Sequence, residues 1–209
     1  MALNDLTLEE FTEALGSSAA TPGGGSASAL AGALAASLLG MVARNTAENP
    51  SFADRAAALG EIAARADRLR AELVALVDED AAAFERVMTA FRLPKETPEE
   101  KEARSREIQA GYEAAAESPL RVCRHALDVL TLASRAAELG NPNAISDVGV
   151  AALLAQSALE GAALNVEINL GSIKDESFRD ESAQAVETAR DEGRKLSDET
   201  LGAVRARLA

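Results

Sequence analysis

The sequence has no tryptophan, one tyrosine, one histidine and one cysteine. Cys123 alone cannot form an intramolecular disulfide, and one histidine with one cysteine cannot furnish a His/Cys zinc set. Aromatic residues at 3% leave no platform of rings for stacking nucleic-acid bases. Basic residues are outnumbered, 21 Lys and Arg against 34 Asp and Glu, and a net charge of -13 disfavours nucleic-acid phosphates and anionic membranes as partners. Strand signals are missing as well: there is no Asn-Gly turn and no sustained alternation of apolar and polar residues. The first residues hold no basic stretch leading into an apolar core, so no signal peptide is expected and the cytoplasm is the default compartment. The charge-free run Ala27 to Ala43 is short for a membrane span and rich in small residues, which predicts a buried helix.

What is present favours helix. Hydrophobic residues make up 47% of 209, much of it alanine, enough for a packed core. Thr7 and Glu10 form a capping-box pattern that opens a short helix ending near Gly16. After the loop Thr21-Pro22-Gly23-Gly24-Gly25-Ser26, an alanine-rich helix is predicted from about Ser26 to about Thr46, broken by Asn49-Pro50-Ser51. A long helix follows from about Ala53 to about Arg92. Leu69, Leu73, Leu76, Val77, Phe84, Val87, Met88 and Phe91 mark its apolar face. A charged helix starts near Pro98, and Pro119 is read as the start of another that ends at Leu139-Gly140. Two more run from about Ser146 to about Gly171 and from about Glu176 to near the C-terminus. The expectation is an all-α, single-domain antiparallel bundle, with no linker or repeat dividing residues 1–209.

Two helices lack an ordinary polar face. Ser28, Gly32, Ala36 and Gly40 form a ridge of small side chains, and Val148 to Leu170 is similarly apolar around its circumference. Such helices belong at a bundle centre or a subunit interface, and the pair together suggests a homodimer.

Several residues are candidates for chemistry. Gly23, Gly24, Gly25 and Ser26 precede a helix whose free amides could hold an anion, although a flexible loop with Ser26 as N-cap explains the same pattern. Asp80 puts a charge in the middle of an apolar stripe, beside Leu76, Val77 and Phe84. It is either a tuned acid or base or a structural ion pair, with Arg44 as the possible partner. Asp78 and Glu79 look solvated. Asn141, Asn143, Ser146 and Asp147 gather polar groups ahead of an apolar helix, as caps or as a hydrogen-bonding wall for a heterocycle. Asn165 and Asn169 share one face of that helix and need partners. Lys95 and Lys174 sit at helix ends and could clamp a carboxylate. His125, among Arg121, Arg124 and Asp128, is read as a surface residue.

Three segments together carry a resemblance. They are Thr21 to Ser26 leading into Ala29 to Leu34; Asp78-Glu79-Asp80 through Phe84 with Leu93-Pro94-Lys95; and Asn143 to Ala151 continuing to Leu164 through Leu170. In this order they resemble the formimidoyltetrahydrofolate cyclodeaminase/methenyltetrahydrofolate cyclohydrolase family, over nearly the whole chain. The resemblance implies an all-α homodimer with a folate site near the subunit interface. Bifunctional relatives carry a separate formiminotransferase domain, for which 209 residues leave no room. The implied activity is therefore hydrolysis of 5,10-methenyltetrahydrofolate to 10-formyltetrahydrofolate, without metal or redox cofactor. Asp80 would be the base and Asp147 the second choice. The glycine-loop amides would meet the pterin oxygen or a carboxylate, and Lys95 or Lys174 the glutamate tail. A cyclodeaminase releasing ammonia, and a non-catalytic folate-binding or helical interaction protein, are the alternatives.

Overall fold

A computed structural model describes residues 2–209. Six α-helices follow one another: α1 (Leu8–Leu15), α2 (Gly24–Ala47), α3 (Ala56–Phe91), α4 (Pro98–Leu139), α5 (Ile145–Leu170) and α6 (Glu176–Leu208). Short 3-10 turns lie at Leu3–Asp5, Pro50–Arg55 and Pro142–Ala144, and no strand occurs among the described residues. The capping box at Thr7 and Glu10 is formed, and an unforeseen second one joins Thr97 and Glu100 at the start of α4.

Neighbouring helices run antiparallel. Arg65, Glu79 and Val87 of α3 meet Asp128, Arg121 and Gly111 of α4 in reverse order. Gly24, Ser28 and Gly32 of α2 face Asn165, Gly161 and Ala158 of α5 in the same way. The small-residue ridge makes that last approach possible. A Cβ on Gly161 would stand 2.5 Å from Ser28 Oγ, and one on Gly32 would press Leu73 at 3.2 Å. The ridge therefore packs inside the protomer. Arg190 and Arg194 of α6 tie that helix to Glu160 and Glu167 of α5.

One cluster of buried side chains draws on all six helices, from Phe11 to Val204. By length and composition α2 and the segment Pro142–Leu170 could cross a membrane. Here they are the two central helices, with Ala29, Ala35, Ala36, Leu39, Ala151, Ala155 and Leu159 fully buried.

Three expectations on helix ends need correction. Ser26 is not the N-cap of α2: Gly23 is, and Ser26 lies fully buried in the first turn. Neither Ser146 nor Asn143 caps α5. Its N-cap is Ala144, and Asn141 instead accepts from the Asn143 N–H in the preceding 3-10 turn. Pro119 does not start a helix but lies inside α4, which continues through it. Proline deletes the N–H that would bond the carbonyl four residues back, here Ala115. Asn169 of α5 supplies the missing donor, its Nδ2 lying 3.1 Å from the Ala115 oxygen. A tertiary hydrogen bond replaces the local one, and the helix survives.

Candidate active site

The end of α3 and the beginning of α2 bring Asp80 against the glycine loop. A Cβ at position 25 would lie 2.0 Å from Asp80 Oδ1, so only glycine admits the carboxyl there. Ser26 places its hydroxyl 3.0 Å from Asp80 Oδ2, and its backbone N–H also favours the ionised carboxylate. The N-terminus of α2 is thus occupied by the protein's own carboxyl, where the sequence had offered it to a ligand anion. Among the described residues no cation pairs with Asp80. Arg44, the partner weighed from the sequence, bonds Asp67 instead. Burial pushes the Asp80 carboxyl above the usual carboxylate range, and the two Ser26 hydrogen bonds draw it back only in part.

Asp80 opens into a cleft of about 420 Å³, bounded by the α2 N-terminus, the last turns of α3, the middle of α4 and the C-terminal end of α5. Its apolar wall is Phe84, Val87, Met88 and Phe91. The sequence had placed these with Leu69 to Val77 on one apolar face; in the structure Leu69 to Val77 are in the core, whereas Phe84 and Phe91 stand exposed on the cleft wall. Tyr112 meets Phe91 edge-on, ring centroids 6.3 Å apart. The cleft has the volume of an ordinary small-molecule pocket, with this apolar wall facing Asp80, Thr21, Asn165, Asn169 and Ser172 as polar groups.

Asn165 and Asn169 supply the opposite polar side. Asn165 donates from Nδ2 to the Gly161 carbonyl and lies beside Gly24. Asn169 donates from Nδ2 to the carbonyls of Ala115 and Asn165. Both partners are carbonyls, so the amide nitrogen must face them, and Oδ1 remains as the acceptor available to the cleft.

Gly23, Gly24, Gly25, Asp80, Asn165 and Asn169 therefore line one space, with Ser26 directly behind. Asn141, Asn143, Ser146 and Asp147 do not. They sit at the opposite end of α5, and from Asp147 to Asn165 that helix rises about 27 Å. Lys95 and Lys174 are exposed and outside the lining, each a few residues beyond a lining residue, Phe91 and Ser172.

Two supporting residues escaped sequence reasoning. Gln109 brackets the loop after α5, donating to the Ser172 carbonyl at 3.1 Å and accepting from the Lys174 N–H at 2.7 Å. Arg104 donates to the Phe91 carbonyl and lies over its ring, 5.4 Å from the centroid. No local pattern signals either one, because their partners are far along the chain.

Outside the cleft, Asp78 accepts from the Leu3 N–H and Glu79 pairs with Arg121, so neither is simply solvated. His125 is half-buried rather than on the surface. Its Nδ1 lies 3.5 Å from Glu72, and burial pushes its pKa down. The Cys123 thiol is buried and pushed up to about 12, which leaves it inert as a nucleophile. No three His, Cys, Asp or Glu side chains among the described residues are grouped to hold a metal ion.

Known proteins resemble the chain in sequence and in fold. The family model described as "Formiminotransferase-cyclodeaminase" matches residues 7–188. A methenyltetrahydrofolate cyclohydrolase of Methylorubrum extorquens is 39% identical over 100% of both chains. The rat formimidoyltransferase-cyclodeaminase is 32% identical over 99% of this chain, which spans 38% of that longer protein. The crystal structure of formiminotetrahydrofolate cyclodeaminase from Thermotoga maritima superposes with a TM-score of 0.90 at 28% identity, covering 99% of this chain and 100% of that one. Matched from end to end in sequence and in fold, the chain belongs to the formiminotransferase-cyclodeaminase family.

Proposed function

We propose that the protein hydrolyses 5,10-methenyltetrahydrofolate to 10-formyltetrahydrofolate. The observation that carries the reading is Asp80, a mostly buried carboxyl with no cationic partner among the described residues, held at the inner wall of a cleft whose facing wall is apolar. The substrate's bridge carbon sits in an amidinium cation shared with N5 and N10. A carboxylate beside it attracts the cation and accepts a proton from the attacking water. The water oxygen bonds the bridge carbon, the proton passes to Asp80, and the pair of electrons of the carbon–nitrogen double bond returns to nitrogen. The proton then goes to N5 as the bond from N5 to the carbon breaks, and the carbinol oxygen gives its remaining proton to solvent, leaving the formyl group on N10. The pterin and its aryl substituent suit the wall of Phe84, Met88 and Phe91, and Asn169 Oδ1 offers an acceptor to a ring N–H. Lys95 and Lys174, exposed and each a few residues beyond a lining residue, are assigned to the glutamate tail. Water and protein groups suffice for this sequence, and we assign no metal, redox cofactor, nucleic acid or membrane to it and place it in the cytoplasm.

The full-length likeness to a cyclohydrolase supports this activity ahead of the alternative. The fold likeness to a cyclodeaminase favours a second reading, closure of formimidoyltetrahydrofolate to the same methenyl compound with loss of ammonia. Two assays separate them. Protein-dependent loss of methenyl absorbance above the spontaneous rate, with 10-formyltetrahydrofolate as product, supports the first. Ammonia release from formimidoyltetrahydrofolate without that loss replaces it with the second.

A homodimer is part of the proposal. Leu34 and Met41 of α2, and Val150, Leu153, Leu164 and Ile168 of α5, are exposed, each set recurring along one stripe of its helix. A second copy related by a two-fold axis running across these helices would cover these stripes. It would also carry the partner's Asn141 to Asp147 segment toward the cleft, which accounts for the placement of Asn141, Asn143, Ser146 and Asp147 so far from Asp80 within one protomer.

A further inference from the structure

Ser26 is fully buried, and its hydroxyl lies 3.0 Å from the Val77 carbonyl oxygen and 3.0 Å from Asp80 Oδ2. A hydroxyl carries one hydrogen, whereas a carbonyl and an ionised carboxylate can only accept. With Asp80 ionised, Ser26 serves one of the two. The carboxylate is the stronger acceptor, and the Val77 carbonyl retains its place in the α3 ladder. With Asp80 protonated at Oδ2, the acid donates to Ser26 Oγ, Ser26 donates to Val77, and every oxygen is satisfied. One rotation about the Cβ–Oγ bond converts the first pattern into the second, with no movement of heavy atoms.

We propose that Ser26 is a positioning residue for the base: its hydroxyl turns from Asp80 to the Val77 carbonyl when Asp80 takes the proton of the attacking water, and turns back when that proton leaves for N5. The proposal rests on the reading of Asp80 as the base. It changes the role of Ser26 from a substrate contact, which full burial does not allow, to a partner that completes both protonation states. Nothing charged competes for this duty. Tyr112 of α4 is the other titratable group lining the cleft, while α5 contributes the neutral Asn165 and Asn169. On α3 itself Asp78 and Glu79 are engaged with the Leu3 N–H and Arg121. The direction of the Asp80 shift agrees, since burial raises it and the Ser26 hydroxyl opposes that rise.

The test is a carbon-13 NMR titration of the Asp80 side-chain carboxyl in ligand-free protein, assigned by its loss in Asp80→Asn. Ser26→Ala removes the donor that favours the ionised form. The midpoint should rise by roughly one to two pH units, and the acid limb of the kcat profile should move with it. Ser26→Thr, which keeps the hydroxyl, should return both toward wild type. A midpoint that stays in place, or a rate lowered equally at all pH values, overturns the proposal. Because the titration needs no substrate, it separates two failures. An unmoved midpoint removes the coupling to Ser26, whereas full turnover in Asp80→Asn removes the base assignment beneath it.

Discussion

Asp80 is held where its charge is costly. Burial outweighs its hydrogen bonds, so the folded chain binds a proton at this carboxyl more tightly than the unfolded chain does. The stability this confers is complete below the ordinary carboxylate pKa and is lost as pH rises through the raised value. Asp80→Asn, a neutral group of the same shape, should therefore raise Tm at neutral pH by roughly a few degrees, and by less in acid. Thermal melts of both proteins across that range check the sign. An equal shift at all pH values would show that the carboxyl is not titrating in the fold. The residue was legible in the sequence because helical spacing set a lone acid between Leu76, Val77 and Phe84. Its partners were not. Gly25 and Ser26 lie more than fifty positions away, and no local pattern says that a helix N-terminus will be filled by the protein's own carboxylate.

At the scale of elements, Pro119 shows how local rules are overridden. The residue is a helix starter by propensity, and α4 nonetheless runs through it because Asn169 bonds the orphaned Ala115 carbonyl. The two should be coupled. Asn169→Ala in the native background should cost about 1–3 kcal/mol by leaving that carbonyl unpaired. In a Pro119→Ala background the backbone N–H returns, and the same change should cost clearly less. Urea unfolding of the four proteins in the cycle measures the difference, and additive costs would dissociate proline from asparagine. The other helices were legible from the capping box at Thr7, breakers and apolar spacing, with ends displaced by up to three residues. The ridge at Ser28, Gly32, Ala36 and Gly40 announced a close approach correctly. Periodicity does not say which helix will approach, and the partners proved to be α5 and α3 of the same protomer.

At the scale of the whole molecule, the alanine-rich, aromatic-poor composition leaned toward helix, and with no hairpin or alternation signal the expectation was a helical bundle. It could not join the two halves of the suspected site, because α5 itself holds them about 27 Å apart. A two-fold pairing through the α2/α5 face would reunite them across the interface. That arrangement predicts complementation. Asp80→Asn and Asp147→Asn should each be weakly active alone, but after dissociation and reassociation together half of the dimers should be mixed, each with one intact site. Activity should return to about a quarter of wild type. No recovery, with mixed dimers present by native mass spectrometry, would place both carboxyls in separate roles. The central claim is simpler and lies at one side chain. Turnover of 5,10-methenyltetrahydrofolate by folded Asp80→Asn, followed by methenyl absorbance and corrected for spontaneous hydrolysis, should fall about a hundredfold or more. Turnover equal to wild type would contradict the account.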